Sequence, residues 1–314
     1  MRLSDYILHE INKVYDIVCK AISTELPKIK LRGGLAFGAG DSYASALTLQ
    51  YLSNLKFYAV DPLCIIKNCR ELCKCENDYI AFSYKGKTKN VVRAVKELRR
   101  YGCKVVAVTS EPASPLGQSA NIIVKAAKTY EALPVGISSF IAMAAIAARM
   151  TGLSIDTYKL KDILNISREN EVTIENLRRS LTDVSEIIIV SNGVGIASGY
   201  YTCLKFHEAL CMPCRVYPYE ELLHAVLFSV RKNSLMIFFI EDINEVRYLS
   251  NLLTNEGIPY TYVVSKNDEF SKFLTYVIKG LRILHEFVKA FGLDKPCFME
   301  RRKILEATTP MIYY

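Results

Sequence analysis

The sequence predicts an α/β protein built from two successive doubly wound parallel sheets. Three observations carry this. Leu35 to Phe37 reads as a short buried strand, Gly38-Ala39-Gly40-Asp41-Ser42 as a tight turn and Tyr43 to Leu52 as a helix. Residues 79–124 then run through two βα units, the pattern of a parallel sheet with crossover helices. Finally, SEIIIVSNGVGIASGYYTCLKF at 185–206 starts the same plan again, with an apolar strand, a glycine turn and a helix.

Taken in order, Met1 to Leu26 is an amphipathic helix, with Ile7, Ile11, Val14, Val18 and Ile22 near one face. Tyr79 to Phe82 is a strand, Ser83 to Thr88 a turn, Asn90 to Arg100 a helix and Lys104 to Val108 a strand. A loop of turn formers, Thr109 to Pro115, precedes a strand at Ile122 to Val124. Gly136 to Met150 is an apolar core helix. Asp156 to Leu181 is a polar helical connector, and the domain boundary placed in it gives halves 1–160 and 161–314. Ser234 to Ile240 and Tyr260 to Val264 are further strands, Phe270 to Phe291 is a helix and Asp294 to Tyr314 is a tail. Aligning Gly38 and Gly40 with Gly193 and Gly195 gives an offset of 155 residues and reads as a duplicated domain. In that alignment the counterpart of Ser42 is Ala197.

Composition narrows the function. A hydrophobic fraction of 51% supports buried cores, and no stretch of eighteen uncharged apolar residues suggests a membrane span. The charged, amphipathic N-terminus is not a signal peptide, so a cytoplasmic protein is expected. The net charge of +8 is spread along the chain, without zinc-finger spacing or an aromatic-rich RNA signature. A basic protein handling a phosphorylated metabolite accounts for it without nucleic acid. Most of the ten cysteines are expected as buried thiols. The spacing of Cys64, Cys69, Cys73 and Cys75 matches no usual zinc site, and Cys211-Met-Pro-Cys214 reads as a chain turn. Neither metal nor cofactor is expected.

Two constellations carry chemistry. The turns Gly38–Ser42 and Ser83–Thr88 both open at carboxyl ends of strands, the edge where such sheets bind ligands. Glycines let the backbone approach a phosphate, and the helix that follows offers free N–H groups. The second constellation is LKFHEALCMPCRVYPYEELLHAVLF, 204–228. Lys205 and Glu208 are three apart and share a helix face. Glu220, Glu221 and His224 follow after a short loop, and a carboxylate with an imidazole is a natural acid/base pair. His207 points elsewhere on the helix.

These motifs resemble the sugar isomerase (SIS) domain family over nearly the whole chain, as two tandem flavodoxin-like domains. The matching segments are GAGDSYASA at 38–46, FSYKGKT at 82–88, AVTSEPASPLGQSANIIV at 107–124 and LKFHEALCMPCRVYPYEELLHAVL at 204–227. The last looks like the isomerase half of glucosamine-6-phosphate synthase, with its Leu-Lys-x-x-Glu helix and later Glu-Leu-x-His. The tail Asp294-Lys295-Pro296 with Arg301, Arg302 and Lys303 is similar to that family's C-terminal segment ending in a functional lysine. There are departures. A serine of the family's second turn is Lys85 here, its His-Gly is His224-Ala225, and an acidic residue of its helix is Tyr201.

The resemblance implies an enzyme of amino-sugar or hexose-phosphate metabolism that interconverts aldose and ketose, of the glucosamine-6-phosphate isomerase/deaminase type. Gly40, Ser42, Ser83, Lys85 and Thr88 would hold the phosphate. His224 would open the sugar ring. Glu208 would move a proton between C1 and C2, with an apolar wall suiting it to a base. Lys205, and Lys303 or Arg301 from the tail, would stabilise the negative oxygen. A homodimer with shared active sites is implied. The alternatives are a phosphoglucose/phosphomannose isomerase and a sugar-phosphate-binding regulator without catalysis.

Overall fold

The computed structural model describes residues 1–29, 31–74, 76–169 and 180–314. The chain forms two compact units. One comprises Lys13–Ala132, Gly136–Asp156 and Arg301–Tyr314, and the other Met1–Asn12, Leu133–Val135 and Thr157–Glu300.

After helix α1 (Leu3–Ser23), the first sheet is laid down by β1 (Gly34–Phe37), α2 (Asp41–Leu52), β2 (Phe57–Val60), α3 (Pro62–Lys67), α4 (Cys69–Leu72), β3 (Asp78–Phe82), α5 (Lys89–Arg100), β4 (Val105–Thr109), α6 (Pro115–Ser119) and β5 (Ile122–Lys125). Its strand order is β2-β1-β3-β4-β5, all parallel. Strands buried on both faces need continuous apolar runs, and β4 supplies one, Val105-Val106-Ala107-Val108, fully enclosed. Helix α7 (Ser138–Met150) is buried through Ala148 and packs on α2.

The second sheet follows helix α8 (Thr157–Glu169). It is built by β6 (Glu186–Ser191), α9 (Val194–Leu210), β7 (Cys214–Tyr217), α10 (Tyr219–His224), β8 (Ser234–Ile240), α11 (Arg247–Glu256) and β9 (Tyr260–Val264). Its order is β7-β6-β8-β9, again all parallel. Helix α12 (Glu269–Ala290) lies along α9, where Phe206 and Phe287 meet edge to face at 5.5 Å. Helix α13 (Arg302–Ile312) ends the chain.

The α/β class with parallel sheets is therefore as the sequence predicts, and β8 and β9 have the expected bounds. The connector expected over 156–181 is helical to Glu169, and 170–179 fall outside the described residues. The unanticipated strands β2 and β7 are short, half-exposed sheet edges of four residues each, FYAV and CRVY, too short to set up a readable burial pattern. The tail is helical in α13, whose apolar residues stay exposed and so give no burial pattern to read.

The alignment of the two glycine turns needs correction. Gly40 caps α2 with φ 57° and ψ −127°, and Gly193 caps α9 with φ 53° and ψ −135°. A side chain is strained in that region. The matching pair is thus Gly40 and Gly193, an offset of 153, which sets Gly38 against Ser191 and Ser42 against Gly195. The small residue changes place. Gly38 lies against Ser42, whereas in the second turn the Ser191 side chain fills the space over Gly195. The sequence offset of 155 matched glycines by spelling, while the backbone matches them by conformation.

The cysteines also depart from expectation. Six form three disulfides, Cys73–Cys103, Cys203–Cys214 and Cys211–Cys297, with Cα separations of 6.0, 4.9 and 5.6 Å. Cys64 is an exposed thiol, Cys69 a buried one and Cys19 half-buried; Cys75 lies outside the described residues. The partners are 30, 11 and 86 residues apart, so only the fold brings them together. Unreduced protein unfolded in guanidinium should titrate no more than four thiols (ten minus six), against ten after reduction. Loss of the longest closure in Cys297→Ser should lower stability by about 2–4 kcal/mol, read as a lower denaturant midpoint.

Candidate active site

The second turn is the better-built anion cradle. It leaves β3 and opens α5. The Gly86 N–H donates to the Ser83 carbonyl at 3.0 Å, closing the turn. Gly86 has φ 63°, and an added side chain would run into Ser114, so glycine is required twice over. The hydroxyls of Ser83 and Thr88 are 3.1 Å apart. Thr88 caps α5 without a side-chain hydrogen bond to the helix. Lys85 and Lys87 project into solvent on either side of Gly86.

Tyr84 anchors this turn, and the sequence reading gave it no role. Its carbonyl accepts from the Ser110 N–H (2.8 Å), the Ser110 hydroxyl (2.9 Å) and the Thr109 hydroxyl (2.9 Å). Its own hydroxyl donates to the Ala127 carbonyl at 3.1 Å and accepts from the Thr129 N–H at 2.6 Å. Beside it, Lys128 pairs with Glu111 at 2.9 Å, and that ammonium holds the Glu111 carboxyl below its ordinary range. The tail also reaches this turn. Tyr313 bridges Thr88, the Tyr314 N–H donates to the Lys87 carbonyl at 3.1 Å, and Lys89 Nζ donates to the Pro310 carbonyl at 2.6 Å. Arg301 and Lys303 lie exposed at the start of α13.

The first turn is less open. Ser42 is buried, and its hydroxyl faces the Met143 sulfur at 3.9 Å, inside the α2–α7 contact. Gly40 sits at the helix start, where its conformation requires glycine.

On α9, Lys205 and Glu208 meet as their spacing predicts. Lys205 is fully buried, and its Nζ donates to Glu208 Oε2 at 2.7 Å, with the Glu208 side chain 32% exposed. The same ammonium lies 5.1 Å from the centre of the Tyr201 ring. In place of the apolar wall expected around Glu208, the structure places the Lys205 ammonium at hydrogen-bond distance. Because α9 starts at the carboxyl end of β6 and runs back along the sheet, this pair lies toward the sheet's amino edge, where β7 begins. General rules for ligand sites in such sheets do not point there.

His224 ends α10, 74% exposed, with Nε2 3.2 Å from Glu220 Oε1. The imidazole's recorded partner is therefore a carboxylate of its own helix. His207 turns away from this pair, as expected, toward the Cys214 carbonyl at 3.1 Å. Among the described residues no group of three or more His, Cys, Asp or Glu side chains could hold a metal ion. None of the described helices is long and apolar enough to cross a membrane.

Comparison with known proteins fits this geometry. The SIS domain family matches residues 35–149, the segment that carries both turns. A glutamine–fructose-6-phosphate aminotransferase (isomerizing) of Pyrobaculum aerophilum is 24% identical over 225 residues, 66% of this chain and 37% of that protein. The chain spans about a third of the length of the curated relatives it matches. Among solved structures, glucosamine-6-phosphate deaminase of Thermotoga maritima superposes with a TM-score of 0.72 at 19% identity, covering 93% of this chain and 97% of that one. The C-terminal domain of glucosamine-fructose-6-phosphate aminotransferase from Francisella tularensis gives 0.70 at 16% identity, covering 93% and 98%. Residues 35–149 thus match the SIS domain, and the chain shares the fold of these solved structures.

The Lys205–Glu208 contact has a measurable consequence. Removing the carboxylate in Glu208→Ala leaves a fully buried ammonium short of its counter-charge, so stability should fall by about 1–3 kcal/mol. Lys205→Met should cost less, since it removes the buried charge itself. Denaturant titration of both variants checks the order.

Proposed function

We propose that this protein interconverts an aldose and a ketose 6-phosphate, acting on glucosamine 6-phosphate or a related hexose phosphate, with release of ammonia where the substrate is the amino sugar. The observation that carries this reading is the Lys205–Glu208 pair, a carboxylate with one-third of its surface open to solvent and a buried ammonium fixed against it. Isomerisation needs one base that takes the C2 or C1 proton and returns it to the neighbouring carbon. Glu208 fills that role, and Lys205 offsets charge developing on the enediol oxygen. His224 moves the proton that opens the ring, and the tail cation is Lys303 or, in its place, Arg301 at the cap of α13. Gly40, Ser42, Ser83, Lys85 and Thr88 are the proposed phosphate-binding residues, with Lys85 acting as a point charge in place of a hydroxyl.

The halves divided near residue 160 are read as two SIS-like domains, and a homodimer with shared sites is part of the proposal. The names of the similar proteins support the substrate class, since they include a glucosamine-6-phosphate deaminase and a tagatose-6-phosphate ketose/aldose isomerase.

The deciding assay follows ketose and ammonia together, from glucosamine 6-phosphate and in reverse from fructose 6-phosphate with ammonia. Both products should appear in step and fall at least 100-fold in Glu208→Gln, which keeps the shape and removes the base. Interconversion of glucose, mannose and fructose 6-phosphates without ammonia would assign the plain isomerase instead. Ligand binding with no turnover would leave a sugar-phosphate-binding regulator. Lys85→Ala should weaken fructose 6-phosphate binding by roughly 3- to 10-fold and flatten its salt dependence, as expected for a solvated point charge. Calorimetry at two ionic strengths measures this.

A further inference from the structure

The helix that carries the proposed base holds a third residue with no assigned role. Tyr201, Lys205 and Glu208 stand at i, i+4 and i+7 on α9 and so share one face. Tyr201 and Lys205 are both fully buried. The Lys205 ammonium lies 5.1 Å from the Tyr201 ring centre and 2.7 Å from Glu208 Oε2. The face of an aromatic ring is electron-rich and attracts a cation within about 6 Å, most strongly where water is excluded.

We infer that Tyr201 is a positioning residue for the proposed reaction, its ring steering the Lys205 ammonium onto Glu208. This rests on the reading of Glu208 as the base. The physical argument concerns how the ammonium is shared. A lysine chain has four rotatable bonds, and a buried ammonium must settle where charge or electron density compensates it. A carboxylate at position 201 would compete with Glu208 for the ammonium. A neutral ring compensates the cation from one side without competing for its hydrogen bond to the base. The backbone holds this arrangement still. Gly280 of α12 brings that helix so close that Thr202, next to Tyr201, fills the space of a side chain. Disulfides at Cys203 and Cys211 flank Lys205 and Glu208 along α9.

The test compares Tyr201→Phe, which keeps the ring, with Tyr201→Leu, which removes it. Tyr201→Met is a second ringless variant should the leucine form not fold. Two readouts are taken. One is kcat and KM for fructose 6-phosphate isomerisation. The other needs no turnover: the side-chain 15N resonance of Lys205 in lysine-labelled protein, assigned by its absence from Lys205→Met. The ringless variant should lower kcat by roughly 2- to 30-fold, the range of a desolvated cation–ring contact, with KM within about twofold. Its Lys205 resonance should move, and Tyr201→Phe should restore both values. A folded ringless variant with wild-type kcat and resonance would overturn the inference. So would equal losses in the phenylalanine and leucine forms, which would assign the effect to the hydroxyl. If the wild-type protein turns over no sugar phosphate, the proposed function fails separately and the resonance alone decides. A resonance unmoved in the ringless form then overturns the positioning role, and one moved there but restored by phenylalanine upholds it.

Discussion

A lysine ammonium without solvent exposure dictates much of what surrounds it. Leaving water costs an unpaired charge several kcal/mol, so a buried lysine survives only where the fold supplies compensation. Lys205 finds it on its own helix, in Glu208 one turn on and the ring of Tyr201 one turn back. That requirement constrains α9 throughout. Both partners stand on α9, so the helix itself sets their 2.7 Å hydrogen bond, while packing on α12 and two disulfides hold the helix in place. If Glu208 is the base proposed above, it is organised before any substrate arrives, which is how electrostatic catalysis avoids the cost of reorganisation.

The candidate phosphate-binding turns obey a different constraint. A turn that offers backbone N–H groups to an anion must bring its backbone close, so it excludes side chains and needs an external scaffold. Gly86 meets the first demand, and Tyr84 meets the second by hydrogen bonds from both ends of the residue. The exchange of serine and glycine between the turns after β1 and β6 shows how little sequence separates a candidate anion cradle from a plain chain reversal. Both turns have the same backbone conformation. In the second, Ser191 donates to the Phe239 carbonyl at 2.8 Å and so ties two strands together.

Some of this was legible in the sequence for clear reasons. Central parallel strands are buried on both faces, so β4, β6 and β8 announce themselves as apolar runs, while the glycine turns mark where helices begin. Local spacing on a helix is fixed by its period. The i, i+3 contact of Lys205 with Glu208, and the turning away of His207, therefore followed from position alone. Edge strands β2 and β7 and the exposed helix α13 lack such periodic burial and were not legible.

The sequence by itself determined the α/β class with parallel sheets, the glycine turns that open its helices and the residues that meet within a single helical turn. All of these rest on short-range geometry or on burial patterns written into neighbouring positions. Only the tertiary structure decided the disulfide pairing across 11 to 86 residues, the Tyr84 staple reaching to Thr129 and the docking of Tyr313 and Tyr314 on Thr88 and Lys87. Most of those contacts join residues far apart in the chain, and no local pattern encodes a distance that depends on how whole elements pack.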